Sequence, residues 1–252
     1  MPDLHFLFIH GTFGRADDWH DVEKLLRNKT NYTTSAITLP GHGNRPLKET
    51  TPVLDQMVEA LRQELTQPSV LVGYSLGGRI SLHALEREGS ALPIQALALE
   101  GAHPGIQDPA QRAERAALDS QRAERIRTQG LAAFLDRWYQ LPLFGLAPDD
   151  HIARRQMVQQ RADHADPDAI ARILEALSPG RIAPQWHTVE ASPHPLLFLH
   201  GEHDTKYAEV GHALRNVQPR TTIATIPNTH HNAHHHAPEA FVDALIAWAQ
   251  KL

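Results

Sequence analysis

The chain has 252 residues, 41% hydrophobic and 21% charged, which fits one large domain or one domain carrying an inserted subdomain. A formal charge of −5 is no footprint of nucleic-acid binding, and the lack of cysteine excludes disulfides, thiolate nucleophiles and Cys-held metals. With no signal-like leader and no apolar run long enough to cross a bilayer, the expectation is a cytoplasmic protein without a membrane partner.

The first predicted strand is Leu4 to Ile9, followed at once by His10-Gly11-Thr12-Phe13-Gly14. Further short apolar runs follow at Thr34 to Leu39, Ser69 to Val72, Ile94 to Leu99, Leu196 to Leu199 and Thr221 to Ile226. None alternates strictly with polar residues, as expected of parallel strands buried on both faces. Helical patterns lie between them, among them Pro52 to Thr66, Leu76 to Glu88 and Pro238 to Lys251. Alternating strands and helices predict an α/β fold with a mostly parallel sheet flanked by helices. The alternation stops from about His103 to Pro193, a stretch rich in Arg, Ala, Gln and Asp with helical periodicity. It reads as a helical cap over residues 104–192, set between core segments 1–103 and 193–252. Loops at the carboxyl ends of parallel strands border the site in such folds, so this insertion is expected to act as a lid.

Gly73-Tyr74-Ser75-Leu76-Gly77 joins a predicted strand to a predicted helix. In that setting Gly-x-Ser-x-Gly forms a strained turn that exposes the serine at a helix N-terminus, where the dipole favours developing negative charge. Ser75 is therefore the candidate nucleophile. A serine needs a base, and the base an orienting acid. Asp204 follows the fifth strand in His200-Gly201-Glu202-His203-Asp204 and is the candidate acid, with Glu202 as runner-up; the alternative for Asp204 is a plain cap of a helix starting near Tyr207. The base belongs after the last strand, where five histidines stand between His230 and His236, and spacing alone does not choose among them. Clustered histidines can also hold zinc or nickel, but no carboxylate or Cys joins them in this loop, and no metal site is expected. For an oxyanion hole the backbone amides of Leu76 and Thr12 are the candidates, since both follow strand ends.

With these motifs the chain resembles the α/β-hydrolase superfamily throughout. More narrowly it resembles the menaquinone-pathway synthases that form a succinyl-hydroxycyclohexadiene carboxylate by eliminating pyruvate. The likeness rests on Leu71 to Arg79, Leu99 to Gly105, Arg112 to Arg115, Asp136 to Phe144, Gly201 to Tyr207 and His231-Asn232-Ala233-His234. It implies that His231 is the base, and that Tyr74, Arg79, Arg115, Trp138 and Arg161 bind substrate. The implied substrate is a small anion carrying three carboxylates, to which arginine forks are suited. The implied step is proton removal beside a carbonyl by Ser75 with His231 and Asp204, then loss of pyruvate, with no cofactor. The sequence departs from the pattern at His230, where a Gly is usual, and around Leu39-Pro40-Gly41-His42-Gly43, flanked by Thr38 and Asn44-Arg45. The alternatives are a carboxylesterase or thioesterase with the same triad, and a non-catalytic binding protein on this scaffold. Monomer and homo-oligomer both remain open.

Overall fold

The computed structural model describes residues 4–145 and 151–252. In chain order its elements are β1 (His5–Ile9), α1 (His20–Lys29), β2 (Thr33–Ile37), α2 (Val53–Glu64), β3 (Ser69–Tyr74), α3 (Leu76–Glu88) and β4 (Ile94–Glu100). Then come α4 (Pro109–Gln129), α5 (Leu131–Trp138), α6 (His151–Ala162), α7 (Pro167–Ala176) and α8 (Trp186–Ala191). The chain closes with β5 (Leu196–Gly201), α9 (Thr205–Val217), β6 (Thr222–Ile226), α10 (Ala233–His236) and α11 (Pro238–Ala249).

The strands form one sheet in the order β2-β1-β3-β4-β5-β6, every pairing parallel. Alternate residues feed two separate cores. Phe6, Phe8, Val70, Val72, Leu197 and Leu199 pack on α1 and α11 through Val22, Leu26, Phe241, Val242 and Leu245. Leu7, Ile9, Leu71, Leu97, Leu99 and Phe198 point the other way, onto α2, α3 and α9. Because both faces are covered, the runs carry no polar alternation. Full burial of each such side chain contributes about 1.5–3 kcal/mol relative to exposure.

The winding direction reverses between β1 and β3, which are neighbours in the sheet although β2 lies between them in sequence. That makes the crevice beyond their carboxyl ends the expected ligand site. Three strands run further than their apolar cores suggest: β3 to Tyr74, β4 to Glu100 and β5 to Gly201. The backbone ladder continues there while the side chains change to glycine and polar residues, so the pattern ends before the strand does.

Between β4 and β5 the described residues hold five α-helices and no strand. Helix α4 starts sharply: the Asp108 side chain accepts from Gln111 N and Pro109 occupies the first turn, while Gly130 at φ 83° ends it. Helix α4 packs against α7 and α5 against α6, whereas α8 lies against α3 and α9.

Candidate active site

Ser75 stands between β3 and α3 with φ 48° and ψ −104°, a conformation that costs a non-glycine residue about 1–3 kcal/mol. Its surroundings enforce it. Ser75 N donates to Glu100 O at 2.8 Å, and Arg79 N to Ser75 O at 3.2 Å. The turn is tight enough that a Cβ on Gly77 would collide with the Ile9 carbonyl, and one on Gly73 would lie 2.5 Å from Gly78 Cα. Glycine at these positions is a steric requirement of the elbow.

His231 and Asp204 are buried, with His231 Nδ1 2.9 Å from Asp204 Oδ2. A proton held on Nδ1 by the carboxylate leaves Nε2 free to accept one from a nucleophile. Asp204 also caps α9, its Oδ1 accepting from Tyr207 N at 3.4 Å. The capping and orienting roles read from the sequence are thus not rivals, since each uses its own oxygen. Glu202 faces elsewhere and accepts from Asn228 N at 2.8 Å. The His231 ring lies 4.5 Å from the Tyr207 ring and 5.3 Å from that of Tyr74. Ser75 and His231 line the same cavity without a hydrogen bond between them, a looseness common in nucleophile–base pairs outside the reacting complex.

The neighbouring histidines point in different directions. His230 presses on Gly145, in the segment between β4 and β5, so closely that a Cβ there would collide with its ring, and it sits 5.1 Å from the His203 ring. His234 meets Glu100. Burial, then His234, pushes His235 down to about 4. Among the described residues no group of three or more His, Cys, Asp or Glu side chains is placed to hold a metal ion.

Gly11 to Gly14 form a turn closed by Gly14 N on Gly11 O at 3.0 Å, with the His10 ring bonded to the same carbonyl. Phe13 within it has φ 69°. Thr12 and Leu76 both line the cavity beside Ser75, and neither backbone amide meets an acceptor among the described residues. Two unengaged amides beside a serine can stabilise a developing oxyanion.

Tyr74, Arg79, Arg115, Trp138 and Arg161 line this same cavity. Its charge is uneven. Arg79 donates to Leu177 O at 2.6 Å, and burial with the nearby Arg115 pushes its guanidinium down to about 10. Arg115 uses Nε on the buried Asp119 at 2.7 Å. Burial, then Arg115, lowers the Lys206 ammonium, and His103 is pushed down to about 4 by burial and by Lys206, Arg79 and Arg115. Arg161 is held differently, in an ion pair with Asp18. Trp138 packs with Phe13, Phe134 and Phe144 into an aromatic wall.

Two cationic lining residues were not among the sequence candidates. Arg122 lies 2.8 Å from Asp119 Oδ1 and 4.9 Å above the Trp138 ring; Lys206 faces the cavity from the first turn of α9. A signal existed for Arg122, because Arg115, Asp119 and Arg122 are spaced i, i+4, i+7 and share one face of α4. The Leu39–Gly43 departures brace a loop: Thr38 Oγ1 accepts from Ala16 N at 3.0 Å, and Arg45 Nη1 reaches Thr38 O at 3.0 Å.

Residues 6–244 match the model of the alpha/beta hydrolase family. A 2-succinyl-6-hydroxy-2,4-cyclohexadiene-1-carboxylate synthase of Shigella dysenteriae is 32% identical over 249 residues, 97% of this chain and 93% of that protein. The synthase of the same name from Yersinia enterocolitica is 34% identical over 246 residues, 96% and 85% of the two chains. The structure of MenH from S. aureus superposes with a TM-score of 0.90 at 25% identity, covering 100% of this chain and 95% of that one. A thermophilic esterase from Thermogutta terrifontis, at TM-score 0.79 and 21% identity over 98% of this chain and 90% of its own, shares the fold. The chain belongs to the α/β-hydrolase family and, within it, to the 2-succinyl-6-hydroxy-2,4-cyclohexadiene-1-carboxylate synthases.

Proposed function

We propose that this α/β-hydrolase-family enzyme is a carbon–oxygen lyase of menaquinone biosynthesis, eliminating pyruvate to form 2-succinyl-6-hydroxy-2,4-cyclohexadiene-1-carboxylate. The observation that carries the reading is the charge of the wall beside Ser75. Arg79, Arg115, Arg122 and Lys206 share that wall with one carboxylate, Asp119. Half-desolvated cations on this scale favour a polyanionic ligand, and a neutral ester has nothing to offer them. Arg79 emerges one helical turn after Ser75, so a bound carboxylate lies close to the reacting carbons.

In this reading His231, oriented by Asp204, takes the Ser75 proton, and the serine oxygen removes a substrate proton next to a carbonyl. The released electron pair forms a new carbon–carbon double bond, breaks the bond to the enolpyruvyl oxygen and expels the enolate of pyruvate, which His231 reprotonates. The amides of Thr12 and Leu76 hold the negative charge that builds on the carbonyl oxygen. No cofactor enters. Helices α4 to α7 act as the lid that excludes water, and the aromatic wall around Trp138 seats the ring of the substrate. The reading places this biosynthetic step in the cytoplasm. No helix among the described residues is long and apolar enough to cross a membrane.

The test is pyruvate release from the succinyl-enolpyruvyl cyclohexene substrate, followed with a coupled dehydrogenase. Pyruvate formed in step with the cyclohexadiene product supports the reading. Efficient cleavage of small neutral esters with no pyruvate replaces it with the esterase alternative.

A further inference from the structure

We propose that Glu100 is a positioning residue of this centre, setting the distance between the nucleophile turn and the histidine loop. The inference rests on Ser75 and His231 being nucleophile and base. Glu100 ends β4 and is wholly buried, opposite Tyr74 in the β3–β4 register. Its backbone carbonyl accepts from Ser75 N at 2.8 Å. Its carboxylate faces the other way: Oε1 accepts from His234 N at 3.0 Å, and Oε2 lies 2.7 Å from His234 Nδ1, a close contact outside hydrogen-bond geometry. One residue thus grips the nucleophile turn with its main chain and the histidine loop with its side chain.

The grip is rigid at both ends. The His234 ring stacks on Trp19 at 4.2 Å and 26°, so it has no room to swing. The next residue, Gly101, has φ 53°, and a Cβ there would stand 2.7 Å from His231 Cε1; the end of β4 is a floor for the catalytic ring. Asp204 orients the His231 ring from the β5 side, while Glu100 anchors the loop three residues further on, from the β4 side. A carboxylate buried without water is costly unless paired. Packing alone would be served by an apolar side chain of the same volume, whereas a two-point contact to a loop amide and its ring fixes where that loop sits. A misplacement of about 1 Å between reacting groups costs on the order of a hundredfold in rate.

The experiment uses the full chain with Glu100→Gln, which keeps the shape and the acceptor for His234 N but removes the carboxylate charge that faces the His234 ring. Three quantities are read: kcat and KM for pyruvate release, the rate at which a fluorophosphonate labels Ser75, and the far-downfield proton signal of the His231–Asp204 hydrogen bond. Labelling reports serine activation whatever the natural substrate. The expected result is a ten- to hundredfold fall in kcat and in labelling rate, KM within twofold, and a shifted or broadened proton signal. A labelling rate within twofold of the parent overturns the proposal. If neither form releases pyruvate but labelling slows as expected, the synthase reading falls and the role of Glu100 stands. Should Glu100→Gln fail to fold, His234→Asn and His234→Leu decide. The Asn amide keeps a polar partner facing the Glu100 carboxylate, which Leu removes, and should label at least tenfold faster than Leu; equal rates overturn the proposal.

Discussion

Arg161, near the end of α6, is ion-paired with Asp18 in the turn after β1, although 143 residues separate them and both side chains are largely buried. Asp18 Oδ2 also accepts from Arg15 N at 3.0 Å, which ties the carboxylate to its own turn. The pair therefore joins a cap helix to the loop that carries Thr12. Its charges cancel, unlike those around Arg79 and Arg115.

Removing one partner of such a pair strands the other. Arg161→Ala should destabilise the protein by about 3 kcal/mol, lowering Tm by roughly 6–12 °C, and should raise KM as the cap loosens. Differential scanning calorimetry and substrate-saturation curves check this. An Arg161→Ala protein with unchanged Tm and raised KM would instead make Arg161 a plain substrate contact.

The cations around Arg115 should behave otherwise. Each charge-assisted carboxylate contact contributes about 1.5–3 kcal/mol, so Arg79→Ala and Arg115→Ala should each cut kcat/KM for the polyanionic substrate roughly ten- to a hundredfold. Added salt should weaken the parent enzyme too, because it screens charges that remain partly open to solvent. Variants that lose less than threefold, with no salt dependence, would remove the cationic wall from the mechanism.

Ser75→Ala should keep the fold and lower turnover by several orders of magnitude. A variant retaining more than about a tenth of parental turnover would exclude Ser75 as nucleophile. Of the five loop histidines only His231 should be essential. Alanine at His230, His235 or His236 should leave turnover within tenfold, with His234→Ala falling between these and His231→Ala. Steady-state kinetics separates them, and activity lost to a chelator and restored by zinc would install a metal in place of this triad.

Stability should fall in mild acid. Burial pushes His10 down to about 4 and His42 to about 3, so both stay neutral in the fold while the unfolded chain takes up protons below about pH 6.5. Their contribution is complete above that pH and is lost as pH drops toward 4, costing about 2 kcal/mol for each group by pH 5. Tm measured at pH 7.5 and 5.0 should show the drop, and His42→Asn should reduce it. A flat Tm across that interval would mean that these rings are protonated, or accessible, in the folded protein.

Much of the fold was legible because it rests on local signals. Six strand cores, the elbow glycines and the long insertion each announce themselves within a few residues, through burial on both faces or a steric limit at a turn. Strand ends were less legible: Tyr74, Glu100 and Gly201 belong to strands, yet as polar residues and glycine they break the apolar pattern. The resemblance chose His231 among five histidines. In space, of those five, the described bonds join only His231 to Asp204, and only His234 to Glu100.

The sequence by itself determined the order of the elements, the position of the serine turn and the kinds of side chain available to the site. Periodicity and backbone sterics act over short stretches, and a single chain displays them. Only the tertiary structure decided the long-range placements: Asp18 with Arg161, Lys206 turned into the cavity, Glu100 under His234. Each joins groups on different elements or selects one rotamer from several. Charge and hydrogen bonding act over a few ångströms of space, and the packing of the sheet and cap sets which distant residues come within that range.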